Sequence, residues 1–194
     1  MEFNKKYLAI NDESMKNILH QVNSIIKSNI YEFDITINSL KKKNQKLFNQ
    51  IILSIQNENA QKSSLPTAQI FKIKKTMKLI IQIKLILEQL ELKFSTVKKT
   101  NDVIQTISLA IETTKQIQNN YHEINQQYKK NILKLSDELN DLLLNNLNCK
   151  NIKFTSKYVD KETKNILQET SLIADNIIKH NLPKLPSEFN ILDK

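Results

Sequence analysis

AQIFKIKKTMKLIIQIKLILEQLELKFSTV, residues 68–97, decides the fold. Ile70, Ile73, Met77, Ile80, Leu87, Leu90, Phe94 and Val97 recur at three- and four-residue spacing, with no Gly or Pro between them. That spacing is a helix with one buried stripe. Leu79, Ile81, Leu85, Ile86 and Leu92 fill much of the remaining girth, leaving a narrow polar arc of Lys75, Lys78, Gln82, Gln89 and Lys93. A helix so apolar around its circumference needs contact from two sides, in a bundle or in a stack of copies. Lys84 and Glu91 interrupt the stripe, which fits a protein contact and not a lipid-spanning core.

Upstream, residues 31–59 read as a second long helix. Its stripe is Phe33, Ile37, Leu40, Leu47, Ile51 and Ile55, widened by Phe48 and Ile52, with Lys42, Lys43 and Lys46 on the opposite side. At 1.5 Å per residue it spans about 40 Å, against about 45 Å for residues 68–97. Between them Ser63, Ser64, Pro66 and Thr67 supply a turn and a helix start. Two long helices of matched length on a short polar link fold back antiparallel. The expected architecture is all-α: a long hairpin, about 31–59 and 68–97, with shorter helices packed on it.

Residues 1–14 form an N-terminal segment in which Phe3, Tyr7, Leu8 and Ile10 alternate with Lys5 and Lys6. It suits a lipid surface as a short amphipathic helix, or it is a frayed end. A helical core covers 15–148. Within it, Thr100, Asn101 and Asp102 cap a third helix striped by Val103, Ile104, Ile107, Ile111 and Ile117. The break before that helix is soft, since neither Gly nor Pro marks it. A fourth helix carries Tyr121, Ile124, Tyr128, Ile132, Leu135, Leu139 and Leu142. Residues 149–159 are a polar linker. Asp160 then caps a small fifth helix, 160–180, whose band of Ile166, Leu167, Ile173, Ile177 and Ile178 is too narrow to stand alone. The tail is 181–194.

Composition bounds the function. A chain of 194 residues with no Gly, no Trp and three Pro lacks the turns of β-rich folds and the glycines of phosphate loops. One cysteine, Cys149, permits no internal disulfide and fits a reducing cytoplasm. His20, His122 and His180 lie far apart, outside any metal-ligand spacing, and none is placed to activate a Ser or Thr. Asp137, Glu138 and Asp141 are a solvated face. The expectation is a non-enzymatic protein without cofactor.

All 29 basic residues are Lys. Residues 1–100 carry 17 Lys against 8 carboxylates, whereas residues 101–194 carry 12 of each, so the net charge of +9 belongs to the first half. A one-sided positive surface attracts an anionic membrane or nucleic acid. Arg is the preferred reader of bases and phosphates, and its absence favours the membrane; no nucleic acid is expected.

The tail sequence Leu182-Pro183-Lys184-Leu185-Pro186 follows Φ-P-x-Φ-P, where Pro183 and Pro186 hold Leu182 and Leu185 on a pre-stiffened strand able to enter an apolar groove. Read by itself, Pro183 is equally a helix stop. Taken in order, the amphipathic start, basic hairpin, shorter helices, fifth helix and proline tail resemble the ESCRT-III family, closest to archaeal cell-division members of the CdvB type. The stretches that look alike are Phe3-Asn4-Lys5-Lys6-Tyr7, Lys46-Leu47-Phe48-Asn49-Gln50-Ile51, Leu87-Glu88-Gln89-Leu90-Glu91-Leu92, Asp102-Val103-Ile104-Gln105-Thr106-Ile107 and Glu162-Thr163-Lys164-Asn165-Ile166-Leu167-Gln168-Glu169. The chain departs from that pattern in its neutral second half, in Lys184 within the tail motif, and in ending before the winged-helix extension some relatives carry.

The resemblance implies subunits that polymerise with themselves or paralogues on the inner face of the cell membrane at the division site and constrict it. It implies that Leu182, Pro183, Leu185 and Pro186 are read by the MIT domain of an AAA-type disassembly ATPase. Phe3, Lys5, Lys6, Tyr7, Leu8, Lys42, Lys43, Lys46, Lys75 and Lys78 are the candidate membrane contacts. A soluble coiled-coil scaffold without a membrane role explains the helices equally well. A nucleic-acid-binding bundle is disfavoured by the lack of Arg and of aromatics among the Lys clusters.

Overall fold

The computed structural model describes residues 12–57, 64–120, 126–147 and 157–183. Five helices carry them, with no strand among the described residues: α1 Asp12–Gln56, α2 Ser64–Ser95, α3 Thr100–Asn120, α4 Gln126–Leu147 and α5 Lys157–Asn181. The all-α class read from the sequence is the class observed.

Three boundaries differ from the sequence reading. The helix expected at 31–59 is the latter part of one 45-residue helix. Its buried line begins at Ile18, Val22 and Ile26 and runs on through Phe33 and Ile37, without a Gly or Pro to stop it. The fifth helix is 25 residues long, longer than α3, and starts at Lys157 because Val159 is already buried. The link expected at 60–67 is shorter, since Ser64 opens α2 and Pro66 sits in its first turn, where the missing N–H costs nothing.

Packing divides the chain into two units, Met1–Ile30 with Ile86–Gln168, and Tyr31–Leu85 with Glu169–Lys194. In the first, Ile18, Val22 and Ile26 of α1, Ile86, Leu87, Leu90 and Phe94 of α2, and Val103, Ile107 and Ala110 of α3 are buried. α3 and α4 pack against each other, with Ile132, Leu135 and Leu139 of α4 buried. Fully burying each large aliphatic or aromatic side chain stabilises the fold by about 1.5–3 kcal/mol. The buried hydroxyls are served locally: Ser108 donates to the Ile104 carbonyl at 2.8 Å and Thr114 to that of Ile111 at 2.8 Å. Thr113 of α3 meets Thr163 of α5 in a buried hydroxyl pair 3.3 Å apart.

The break between α2 and α3 has a local cause. Ser95 and Thr96 hydroxyls bond the Leu92 and Lys93 carbonyls at 2.7 and 2.8 Å, and the Thr96 and Val97 amides close tight turns on Lys93 and Phe94. The helix end is satisfied by its own residues, so no glycine is needed.

In the second unit Phe33, Ile37, Leu47 and Ile51 of α1 are buried, as are Ile70, Ile73, Met77, Ile80 and Ile83 of α2. Asn44 stands in the α1 line between Ile37 and Leu47, 1% exposed, and its Oδ1 has no hydrogen-bond partner.

Candidate functional site

An ion pair joins α1 to α2 within each unit. Lys27 meets Glu91 at 3.4 Å in the first, and Lys84 meets Asp34 at 2.7 Å in the second. The two charges that interrupt the α2 stripe are therefore hairpin contacts.

Two lysines of the α2 polar arc meet α5, one in each unit. In the first unit Lys93 pairs with Glu162 of α5. In the second, Lys78 pairs with Asp175 at 2.7 Å, and Lys74 donates to the Pro183 carbonyl at 3.0 Å. Gln82, read as part of the polar arc, is 3% exposed. The fifth helix turns its small residues Thr163, Thr170 and Ala174 inward, all buried, and these allow close approach.

These contacts place the tail motif. Leu182 is buried at 8% exposure and Pro183 is half-buried, held by the Lys74 bond in the second unit. Leu182 therefore faces inward in this state and is not presented on a free strand. Leu185 and Pro186 lie outside the described residues, as do Phe3, Lys5, Lys6, Tyr7 and Leu8.

Of the ten residues read as membrane contacts, Lys42, Lys43 and Lys46 lie exposed along α1. Lys75 is exposed on α2, while Lys78 is held by Asp175. The line Tyr31, Ile35, Asn38, Lys42, Lys46, Asn49 and Leu53 advances by fours and threes along α1, about half a turn from the buried Phe33–Ile37–Leu47–Ile51 line. It contains no carboxylate.

A cleft of about 250 Å³ in the first unit is lined by Lys93, Asp102, Gln105, Thr106 and Tyr158 among others. Its Lys93 is held by Glu162, and its Thr96 and Thr106 hydroxyls bond the backbone carbonyls of Lys93 and Asp102. No His or Cys stands among these lining residues. Among the described residues no cluster of His, Cys, Asp or Glu could hold a metal ion, and no helix is long and apolar enough to cross a membrane.

No family model matches the chain, and no solved structure matches it. Over 175 residues, 90% of this chain and 82% of the relative, it is 18% identical to Cell division protein B1 of Sulfolobus acidocaldarius. The similarity is distant and runs through nearly the whole chain.

Proposed function

We propose that this chain is a cell-division protein whose copies assemble on an anionic membrane and are recycled by an AAA-type ATPase. The observation that carries the membrane reading is the row of Lys42, Lys43 and Lys46, exposed on α1 away from its buried line. Near an anionic surface each such lysine contributes about 1 kcal/mol. The division role rests on the likeness to Cell division protein B1. In this reading the state with α5 against α2 is the closed subunit. Withdrawal of α5 uncovers the apolar girth of α2 for neighbouring copies and frees Leu182 for an MIT domain. The two partly exposed ion pairs, Lys78–Asp175 and Lys93–Glu162, support such a switch, because exposed charge pairs add little to holding α5 in place.

Co-sedimentation with vesicles containing phosphatidylserine tests the proposal, with electron microscopy of the pelleted material. Binding is expected to weaken as salt rises, and filaments are expected on the vesicles. Indifference to lipid charge would remove the lysine argument and leave a soluble scaffold. Co-sedimentation with DNA from the same preparation checks that the attraction is not to any polyanion.

A further inference from the structure

Three large apolar side chains stand in solvent on the α1 lysine line: Tyr31, Ile35 and Leu53, at 67%, 53% and 57% exposure. A single exposed apolar residue is ordinary. Three on one line, with Lys42 and Lys46 between them and no carboxylate among them, form an amphiphilic strip about 33 Å long from Tyr31 to Leu53. Carried back along α1 at the same spacing, the line reads Asn17, His20, Ser24 and Ser28, all exposed and none of them apolar or lysine. The strip is thus confined to the portion of α1 from Tyr31 onward.

We infer that this strip lies in the headgroup layer of an anionic membrane, with Tyr31, Ile35 and Leu53 entering the acyl boundary and Lys42 and Lys46 reaching phosphates. The inference rests on the membrane reading above and adds to it an apolar, salt-resistant contact made by α1 itself. The side-chain chemistry fits that occupant. A tyrosine ring prefers the headgroup level, and a lysine lays its aliphatic stem on apolar surface while its ammonium stays among phosphates. A second copy offering the same strip would set Lys42 and Lys46 against like charges. An acidic protein partner would need a matching groove about 33 Å long with apolar sites near both ends, whereas a lipid surface is continuous and already carries both chemistries.

The test is co-sedimentation of the full chain with vesicles of phosphatidylcholine and phosphatidylserine in equal parts, at low and high salt. The variant carries Tyr31→Ser, Ile35→Ser and Leu53→Ser together. All three sites are exposed, and circular dichroism checks that the helices persist. The wild-type chain is expected to keep residual binding at high salt, and the variant to lose at least tenfold of it, about 1.4 kcal/mol. The variant should still bind at low salt through its lysines. A second reporter uses the absence of Trp from this chain: with Leu53→Trp, adding vesicles is expected to blue-shift the emission. Equal high-salt binding by wild type and triple variant, or an unshifted Leu53→Trp emission, overturns the inference and leaves the membrane reading standing. Absence of wild-type binding at both salts overturns both. Loss of self-association in light scattering with unchanged vesicle binding assigns the strip to another copy of the chain and overturns the lipid assignment.

Discussion

Replacing Lys74 by Met tests whether docking of the tail on α2 competes with its capture by an MIT domain. Lys74 is half-buried and its ammonium donates to the Pro183 carbonyl at 3.0 Å. Methionine keeps most of the aliphatic stem and removes the donor. A hydrogen bond to a charged group contributes about 1.5–3 kcal/mol net, and partial exposure brings this one down to about 1 kcal/mol. Leu182, 8% exposed, stays as an anchor, worth about 1.5–3 kcal/mol, so the variant loosens the tail without abolishing docking. The Lys78–Asp175 pair adds little, because both side chains are more than a third exposed. An equilibrium moved by 1 kcal/mol changes the free fraction about fivefold, and apparent affinity scales with that fraction. Fluorescence anisotropy with an isolated MIT domain would compare three ligands: the full chain, its Lys74→Met variant, and a peptide of residues 181–194, which has nothing to dock on. The peptide should bind tightest and the variant about fivefold tighter than wild type. If wild type and peptide bind equally, burial of Leu182 is no barrier to capture and the competition argument fails.

Other predictions concern packing. Asn44→Leu removes a buried carbonyl oxygen that lacks a partner, so it should stabilise the fold by about 1–2 kcal/mol, read as a raised urea midpoint with unchanged slope; a lowered midpoint would mean the amide is needed where it stands. Thr113→Val and Thr163→Val should each cost about 1–2 kcal/mol by stranding the other hydroxyl, while the double variant should cost less than the two together; full additivity in thermal unfolding would break the pair. Exchanging the charges as Lys84→Asp with Asp34→Lys should recover most of the about 0.5–1 kcal/mol lost in either single change, and failure to recover would place the hairpin in another register.

The hairpin was legible because apolar residues at helical spacing fill so much of residues 68–97 that a second long helix had to lie on them. Its register was legible too, had the charges been followed: Lys84 and Glu91 read as interruptions, yet on a folded-back pair they fall opposite Asp34 and Lys27. The continuity of α1 was missed because the upstream stripe through Ile18, Val22 and Ile26 meets the polar run Lys27-Ser28-Asn29 before Phe33 resumes it. Asn44 was missed for a different reason. A polar residue inside a stripe reads as a gap between Leu40 and Leu47, and only coordinates reveal it buried. Least legible was the polar arc of α2, because periodicity separates polar from apolar faces and cannot tell a face met by water from one met by the carboxylates of another helix.

That last distinction redraws the charge map. Ten residues read from the sequence as one membrane surface do not act alike, since Lys78 is engaged by Asp175 and Lys42, Lys43 and Lys46 stand exposed on α1. Counting lysines would give Lys78→Ala the same effect on vesicle binding as Lys42→Ala. The structure gives a different answer. A lysine already facing a carboxylate brings little net charge to a distant surface, so Lys78→Ala should leave vesicle binding within about twofold of wild type while loosening α5. Replacing Lys42, Lys43 and Lys46 together by Ala should weaken binding to phosphatidylserine vesicles by about 3 kcal/mol, more than a hundredfold at low salt. The same variant should leave the hairpin folded, because none of the three is buried. Should Lys78→Ala weaken vesicle binding as much as the triple change, the membrane would be meeting α2 with α5 withdrawn, and the docked state would not be the one that first reaches the lipid.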